Sequence, residues 1–476
     1  MASDPILLAF ESRARRHGSD LLLTSPLKKA TVAEVADLAQ AVASRVAASR
    51  LPEGALVGLS APNGPAFVAG YLGLRRASHP ILLIDWPTPQ VELERIQGAL
   101  GAKAVLVAHR AWPESDQDFD LLAGPAEGEF PALPAKVSTL RLSSGSTGLP
   151  QGIAHTSEAL LADDRALRQT MGLHTERALA AIPLSHAYGF SSLFLPALTA
   201  SWTLSIPDSH GPFAPITAAT HGQVTFLPTV PAFVEALLKM TAPPPLPASV
   251  RLVISAGAPL RPETATRFRE VYGQTIHTFY GASEVGGIAY DRDGGAAQRG
   301  ALGSAVEGVQ IRLIPVQGED AGTGVVEVES PAAALGYYPS SDTRLGNGRF
   351  RTSDLGRFEG EDLVLLGRVD DMINVRGKKV SPREVEAVLE AMPGVSEALV
   401  HRSSEANGSG ETLIALVAAN TDHLSTTEVS TWCRERLAAH KVPRQVRIVG
   451  EIPRSSRGKI DRQAVKMILE DQDSEP

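Results

Sequence analysis

The first half of the chain alternates short apolar runs with amphipathic stretches. In Thr31–Arg50, valine, leucine and alanine recur at helical spacing on one stripe, and Thr31 with Glu34 forms the capping box that begins a helix. Short runs rich in Val, Leu and Ile between such helices are typical of buried strands. The pattern predicts, in order, a strand at Ala55–Leu59, a helix at Ala66–Arg76, a strand at Ile81–Asp85, a helix at Gln90–Leu100 and a strand at Ala104–Ala108.

The alternation resumes after a polar connector at residues 111–136. It predicts helices at 156–170, around 230–240 and at Glu263–Tyr272, and strands near 178–182, near 202–206, at Arg251–Ser255 and at Thr275–Phe279. Strands that alternate with helices in this way favour parallel βαβ units. We therefore expect an α/β fold with a large N-terminal domain of parallel sheets.

The pattern changes twice towards the C-terminus. From about residue 300 to 366, runs such as VQIRLI and GVVEVE are separated by glycine-rich turns, which predicts a small β-barrel-like subdomain of antiparallel strands. After Gly367 the pattern is mixed, with a helix at Pro382–Met392 and strands at Ala398–His401 and Leu413–Ala418. We therefore expect an N-terminal domain at 1–367 and a small α+β domain at 372–476.

Composition narrows the class of protein. A chain of 476 residues is long enough for several domains, and its 45 basic and 53 acidic residues give a net charge of −8 without a basic block, which argues against nucleic acid as the main partner. The single cysteine, Cys433, excludes internal disulfides and fits a reducing compartment. We find no signal-peptide pattern at the N-terminus and no apolar run long enough to span a membrane. These features predict a cytoplasmic protein.

A glycine- and hydroxyl-rich loop follows the apolar run Val137–Leu142. Its sequence from Ser143 to Gly152, SSGSTGLPQG, has three glycines and four hydroxyl side chains. Glycines let a backbone approach a ligand, and successive N–H groups with hydroxyls form a concave anion site. The loop lacks the Lys-Ser or Lys-Thr pair that ends a P-loop. We interpret it as a phosphate-binding loop of another kind.

Other polar clusters also fall at the ends of predicted strands, where open α/β sheets bind ligands. In YGASE, Ser283 can donate to a phosphate oxygen, and Glu284 is a hard oxygen ligand suited to Mg²⁺. In RTSDLG, Asp354 can accept both hydroxyls of a ribose. Near the C-terminus, Lys459 follows a glycine in a basic loop and can reach a developing negative charge.

In the order of these motifs the chain resembles the adenylate-forming superfamily of acyl-CoA synthetases, peptide-synthetase adenylation domains and firefly luciferase. The resemblance covers roughly residues 30–465. Besides the glycine loop, the matching motifs are PLSHAYGF (183–190, substrate gate), AGAPL (256–260, adenine wall), YGASE (280–284, Mg²⁺ and ATP), RTSDLG (351–356, ribose), GRVDDMINVRGKKVSPREVE (367–386, hinge and thiol-side loop) and PRSSRGKIDR (453–462, catalytic lysine).

The resemblance implies a role for each matching residue. For the phosphates of ATP it implies Ser143, Ser144, Gly145, Ser146, Thr147, Gly148, Gln151 and Ser283; for adenine and ribose it implies Gly257, Ala258, Tyr280, Gly281, Asp354 and Arg368. It further implies Glu284 as the Mg²⁺ ligand, His186 beside the acyl pocket, Lys459 as the catalytic lysine, and Asp370 as the hinge within residues 368–371.

The chemistry that the resemblance implies has two steps. A carboxylate attacks the α-phosphorus of ATP to give an acyl-adenylate and pyrophosphate, and the thiol of coenzyme A then attacks the adenylate. The first step needs positioning and charge neutralisation rather than a protein nucleophile. The second step needs the lysine loop to move away, which explains a hinge before a mobile C-terminal domain.

One residue departs from the family pattern. The phosphate loop of the family usually carries a lysine or arginine after its proline, where this chain has Gln151. A charge-assisted hydrogen bond contributes about 1.5–3 kcal/mol, so its loss costs roughly 10- to 100-fold in affinity or rate if nothing compensates. We hypothesise that pyrophosphate is held more loosely than usual, and that Gln151→Lys lowers the KM for ATP.

The gate motif indicates which acid is activated. Relatives that activate amino acids usually carry an aspartate near it, and PLSHAYGFSSLF has none, so we infer an acid without an α-amino group. The candidate acyl-pocket residues are Tyr188, Phe190, Phe226 and Gly286. They favour an alkyl or aryl acid.

The thiol acceptor stays open between two candidates. Arg376, Gly377, Lys378 and Lys379 form a basic turn that could meet the phosphates of coenzyme A, which we favour. The alternative is the pantetheine thiol of an acyl carrier protein. A degenerate, non-catalytic protein that binds acyl-adenylates is a third possibility, which only Gln151 suggests.

Overall fold

The computed structural model describes most of the chain. The described residues are 4–124, 130–143, 150–209, 211–316, 320–369, 373–375, 378–380, 382–404, 411–419, 424–437, 439–454 and 460–470. Among the described helices, none combines the length and the apolar composition that crossing a bilayer requires.

The helices and strands are numbered in chain order. The helices are α1 (Pro5–His17), α2 (Val32–Ala48), α3 (Pro65–Arg76), α4 (Gln90–Leu100), α5 (Ser157–Met171), α6 (Ala187–Gly189), α7 (Leu195–Thr199), α8 (Ala214–His221), α9 (Pro231–Leu238), α10 (Pro262–Tyr272), α11 (Pro382–Glu390), α12 (Thr426–Arg436) and α13 (Arg462–Glu470). The strands are β1 (Leu21–Thr24), β2 (Lys29–Thr31), β3 (Val57–Ser60), β4 (Ile81–Ile84), β5 (Ala104–Ala108), β6 (Phe119–Ala123), β7 (Val137–Ser143), β8 (Gln151–Thr156), β9 (Arg177–Leu179), β10 (Thr203–Ser205), β11 (Phe226–Thr229), β12 (Leu252–Ser255), β13 (Ile276–Ala282), β14 (Gly286–Tyr290), β15 (Ser304–Ala305), β16 (Gln310–Pro315), β17 (Thr323–Glu329), β18 (Gly336–Tyr338), β19 (Leu345–Gly346), β20 (Arg349–Glu359), β21 (Asp362–Arg368), β22 (Ile373–Val375), β23 (Lys378–Val380), β24 (Val395–Ser404), β25 (Glu411–Ala419) and β26 (Gln445–Val449).

Two large sheets form the main part of the fold. One has nine strands in the order β15-β14-β13-β12-β11-β9-β10-β1-β2, and the other has seven in the order β18-β8-β7-β4-β3-β5-β6. The central strands of both sheets are parallel, which confirms the predicted βαβ organisation. The edge strands β2, β6, β15 and β18, and β8 and β14 next to two of them, pair antiparallel, so both sheets are mixed rather than wholly parallel.

Contacts within the chain divide it into two compact units. The first comprises Met1–Ile311, Glu327–Arg351 and Gly360–Leu363, and the second comprises Arg312–Val326, Thr352–Glu359 and Val364–Pro476. The predicted boundary at 367 and the hinge at 368–371 stay predictions.

The core of the first unit explains why its helices form where they do. Helix α2 begins with the predicted capping box, in which Thr31 and Glu34 bond each other's backbone, and it buries its valine stripe. Helix α3 is buried along nearly its whole length. A Cβ on Gly73 would stand 2.6 Å from the side chain of Val42, so this glycine permits the close packing of α3 on α2. Residues 190–194 form one turn of π-helix.

The N-terminal helix α1 was not predicted. The apolar stripe that would predict this helix is interrupted, because Arg13 lies on the buried face. Its guanidinium donates there to the carbonyl oxygens of Ala197 and Trp202. Burial lowers the pKa of Arg13 to about 10. Asp4 caps the helix by accepting from the backbone N–H groups of Ile6 and Leu7.

The second unit has its own small core. Strands β24 and β25 are antiparallel, β25 and β26 are parallel, and the buried faces of α11 and α12 share a cluster that includes Val385, Leu389, Val417 and Cys433. The predicted α+β character is confirmed, and Cys433 is a buried side chain of this core. Both predicted strands lie within β24 and β25, which extend beyond them.

Candidate active site

The ends of β12 and β13 bring two of the predicted nucleotide motifs side by side. The strands are parallel and in register, with Ser255 paired to Thr278. The loop that carries Gly257 and Ala258 leaves the end of β12, and Tyr280 lies near the end of β13. Gly257 has a φ of +86°, a conformation that favours glycine. These are the strand ends at which open α/β sheets bind ligands.

The predicted phosphate loop joins the two strands of an antiparallel hairpin, β7 and β8. The last described pair before the loop closes is Ser143 with Gln151. The hydroxyl of Ser143 is buried and has no hydrogen-bond partner in the part of the chain that the structure describes. The remaining predicted phosphate contacts lie outside the described residues: Ser144, Gly145, Ser146, Thr147 and Gly148.

Gln151 makes a specific contact at the base of this loop. Its Nε2 atom donates to Oγ of Ser340 at 2.8 Å. Ser340 follows β18, which pairs with β8. The neutral side chain at this position therefore connects the first residue of β8 to the segment that follows β18.

We expect Gln151→Lys to lower the KM for ATP by roughly 10-fold, because it restores a charge-assisted hydrogen bond to the phosphates. Steady-state kinetics at saturating acid measure the effect. Ser340→Ala is the matched control, since it removes the contact at 2.8 Å without changing the charge. An unchanged or higher KM in Gln151→Lys would show that charge is not what this position lacks.

The gate motif, residues 183–190, is held by an asparagine from outside it. Nδ2 of Asn63 donates to the carbonyl oxygens of Ala180 and Ile182 at 2.9 and 2.8 Å. The N–H of Leu184 donates to Oδ1 of Asn63 at 2.8 Å. These three bonds fix the backbone that leads into the gate.

His186 pairs with an aspartate that the gate motif itself lacks. Nε2 of His186 lies 3.1 Å from Oδ1 of Asp85, and the hydroxyl of Ser185 donates to the same oxygen at 3.2 Å. Asp85 directly follows β4. The imidazole of His186 is 42% exposed, so a ligand can reach it while Asp85 holds its orientation.

The predicted acyl-pocket residues differ in their surroundings. Burial raises the pKa of the Tyr188 phenol well above its usual value, so the hydroxyl stays neutral. The ring of Phe190 is fully buried against Tyr71, and the ring of Phe226 is fully buried against Trp202. Both phenylalanines belong to the core, and their contact with an acyl group stays a prediction.

Glu284 is fixed by a tyrosine on β18. The hydroxyl of Tyr337 donates to Oε1 of Glu284 at 2.9 Å, and the carbonyl oxygen of Glu284 accepts from the N–H of Ala334 at 2.8 Å. Tyr337 pairs with Ile153 of β8. Burial and the charge of Glu284 raise the pKa of Tyr337, so it remains a donor. In the same turn, Ser283 is half-buried.

The donor set at Glu284 fits a magnesium ion shared with a nucleotide. Mg²⁺ is usually held by one or two carboxylates together with substrate phosphates. Within the described ranges, no three His, Cys, Asp or Glu side chains lie together as a protein-only metal site. A single hard carboxylate, connected through β18 to the base of the phosphate-loop hairpin, is the arrangement that such sharing requires.

A buried pair of opposite charges lies beneath the YGASE turn. Oδ1 of Asp163 accepts from the N–H of Gly287 at 2.9 Å, and Arg141 donates to Oγ of Ser191 at 3.1 Å. Burial raises the pKa of Asp163 and lowers that of Arg141 to about 10, and each charge partly offsets the shift of the other. A Cβ on Gly286 would stand 2.2 Å from Oδ1 of Asp163, so this predicted pocket glycine makes room for the carboxylate.

The predicted ribose residues lie in the second unit. Nε of Arg368 is 3.9 Å from Oδ1 of Asp354, so the two predicted residues are neighbours. The N–H of Asp354 donates to Oγ1 of Thr352 at 2.9 Å. Lys378 and Lys379 are in strand β23. The remaining predicted residues lie outside the described ones: Asp370, Arg376, Gly377 and Lys459.

Four residues of this site were not predicted from the sequence. Asn63 and Asp85 shortly follow β3 and β4, the same strand-end signal that marked the other clusters. Asp163 lies in the middle of α5, and Tyr337 lies in a strand of three residues, so neither position gave a signal.

Comparison with protein families gives two matches. Residues 10–338 match the model described as AMP-binding enzyme, and residues 384–459 match that described as AMP-binding enzyme C-terminal domain.

Individual relatives and solved structures agree with these matches. The chain is 31% identical to anthranilate–CoA ligase of Pseudomonas aeruginosa over 75% of this chain and 72% of that protein. It is 27% identical to feruloyl-CoA synthase of an Amycolatopsis species over 94% of both chains. Its fold is similar to that of o-succinylbenzoate coenzyme A synthetase from Bacillus subtilis in complex with ATP and magnesium ion, with a TM-score of 0.81, 21% identity and coverage of 96% and 99%.

Proposed function

The chain belongs to the family of AMP-binding enzymes, and on that premise we propose that it is an AMP-forming acid–thiol ligase that joins a carboxylic acid to coenzyme A. One observation carries the proposal. Strand β18 pairs with the phosphate-loop strand β8, and Tyr337 of β18 donates to Glu284 of the YGASE turn. A Mg²⁺–ATP site needs a phosphate-binding loop close to a metal-binding carboxylate, and β18 connects the two.

In the first step the carboxylate oxygen of the acid forms a bond to the α-phosphorus of ATP, and the bond from that phosphorus to the bridging oxygen of pyrophosphate breaks. Glu284 would hold Mg²⁺, which would supply positive charge against the phosphates. The loop between Ser143 and Gln151 holds the leaving pyrophosphate, and Lys459 stabilises the charge that develops at the α-phosphate.

In the second step the thiol sulfur of coenzyme A attacks the acyl carbon, the bond from that carbon to the phosphate oxygen breaks, and AMP leaves. The thiol proton goes to solvent. We propose that the domains at 1–367 and 372–476 exchange the lysine loop for the thiol-side loop about Asp370 between the steps. Arg376, Lys378 and Lys379 would then meet the phosphates of coenzyme A.

We propose an alkyl or aryl acid without an α-amino group as the substrate. The carboxylate that contacts the gate motif is that of Asp85. It already accepts from Ser185 and pairs with His186, so its partners are protein groups and not the ammonium group of a substrate. Two relatives are named for aromatic acids, anthranilate and ferulate, which supports the aryl class.

Acid-dependent exchange of labelled pyrophosphate into ATP tests the first step. The panel is matched sets of aryl, aliphatic and α-amino acids. We expect exchange with aryl or aliphatic acids and none with α-amino acids. Folded protein that shows no exchange with any acid would favour the non-catalytic, adenylate-binding alternative.

A thioester assay separates the two acceptors. With an acid that supports exchange, free coenzyme A is expected to give the thioester. Acylation of a carrier-protein pantetheine, without reaction of free coenzyme A, would instead support the carrier protein as the acceptor.

A further inference from the structure

The carboxylate of Glu284 accepts a hydrogen bond from Tyr337, whose hydroxyl takes no part in the bonds that acid activation and thioester formation make or break. We propose that Tyr337 is a positioning residue that orients Glu284 for the metal ion. This inference rests on the proposed function, because it takes Glu284 as the Mg²⁺ ligand. Its structural basis is the contact of 2.9 Å between the hydroxyl of Tyr337 and Oε1 of Glu284.

The hydroxyl of Tyr337 has a fixed place because β18 is anchored along its length. Tyr337 pairs with Ile153, and its neighbour Tyr338 pairs with Gly152. The hydroxyl of Tyr338 donates to the carbonyl oxygen of Pro131 at 3.0 Å. Side chains of successive strand residues point to opposite faces, so one tyrosine anchors β18 while the other reaches Glu284.

The segments on both sides of β18 are held as well. After the strand, Ser340 accepts from Nε2 of Gln151 at 2.8 Å, and before it the N–H of Ala334 donates to the carbonyl oxygen of Glu284 at 2.8 Å. The phosphate-loop hairpin, β18 and the YGASE turn therefore restrain one another. Because these segments hold β18 in place, the hydroxyl of Tyr337 is preorganised before any ligand binds.

A glutamate side chain has three rotatable bonds, so its carboxylate samples many positions unless a partner holds it. Once Tyr337 holds Oε1, the torsion angles are restricted and the direction of Oε2 is set with them. Partners of this kind orient metal-binding carboxylates, and their loss typically costs about 10- to 100-fold in metal affinity or activity.

Tyr337→Phe tests the proposal, with Tyr338→Phe as the matched control. The two substitutions remove the same atom from adjacent residues of one strand, and each deletes one hydrogen bond. Calorimetric titration of each protein with ATP, in Mg²⁺ and in EDTA, measures the gain in ATP affinity that the metal provides. We expect Tyr337→Phe to reduce this gain about 10-fold or more, with little change in EDTA. Tyr338→Phe should keep the full gain even if its melting temperature falls.

Glu284→Gln separates failure of this inference from failure of the metal assignment. If Glu284→Gln loses the gain and Tyr337→Phe keeps it, Tyr337 does not position the carboxylate. An equal reduction in both tyrosine variants would also overturn the inference, because it would indicate general loosening of β18. If Glu284→Gln keeps the full gain, Glu284 is not the metal ligand and the inference fails with that assignment.

Discussion

Lys459→Ala is expected to abolish acid-dependent ATP–pyrophosphate exchange while the variant still converts supplied acyl-adenylate to the thioester. The reason is that the proposed mechanism has the lysine loop at the phosphates only during the first step. Attack on the α-phosphorus builds negative charge that a nearby cation stabilises, and removing one such stabilising group typically costs about 100- to 1,000-fold in rate. In the second step the thiol attacks the acyl carbon, and we propose that the lysine loop has moved away by then, so the charge that the leaving AMP gains is stabilised without Lys459.

The control for Lys459→Ala is Arg457→Ala, which removes a positive charge from the same basic loop two positions earlier. We expect it to change neither step by more than a few-fold, because the resemblance assigns the catalytic role to Lys459 and not to Arg457. Exchange and thioester formation are measured on the same preparations. Equal loss of both steps in Lys459→Ala would contradict a mechanism in which the lysine loop serves only adenylation.

Asp163→Ala is expected to give the largest loss of stability, about 3–5 kcal/mol in the free energy of unfolding, because it leaves the buried charge of Arg141 without its nearby carboxylate. It also leaves the N–H of Gly287 without its acceptor. Both groups are inside the protein, where water cannot replace the lost partner. Urea unfolding, followed by fluorescence, measures the loss of stability. We also expect the YGASE turn to change its position, because Asp163 no longer holds the N–H of Gly287.

Asp163→Asn is the matched variant, because it keeps an oxygen for the N–H of Gly287 but removes the charge. We expect a smaller loss than in Asp163→Ala. The raised pKa of Asp163 means that the folded state holds its proton more tightly than the unfolded state. The stability of the wild type relative to Asp163→Asn should therefore fall as pH rises above about 4, the usual pKa of an aspartate. A difference that is independent of pH, or an Ala variant as stable as wild type, would contradict this role.

Local patterns predicted the elements whose causes are local. The helix α2 follows from its apolar stripe and from a capping box that spans the four residues 31–34, both visible in the sequence. The strand-end clusters followed from alternation of strands and helices, because parallel strands must present their carboxyl ends at one edge. Those two rules were enough to indicate an α/β fold with a ligand site at the strand ends, whereas the resemblance of the motifs implied that the ligand is a nucleotide.

Contacts between distant residues escaped prediction. Asn63 meets Ala180 across 117 positions, Asp163 meets Gly287 across 124, and Gln151 meets Ser340 across 189. No spacing rule links such pairs. The antiparallel edges of the sheets were missed for a related reason, since short strands such as β15 and β18 owe their conformation to the strand beside them.

The most direct test of the proposed function follows an oxygen atom. If the acid attacks the α-phosphorus, one of its carboxylate oxygens stays with the phosphate when the thiol displaces AMP. Reaction of ATP and coenzyme A with an acid labelled with ¹⁸O in its carboxylate, analysed by mass spectrometry, should therefore give AMP that carries one labelled oxygen, together with unlabelled pyrophosphate. Label in inorganic phosphate with formation of ADP, or AMP without label, would contradict activation of the acid through an acyl-adenylate.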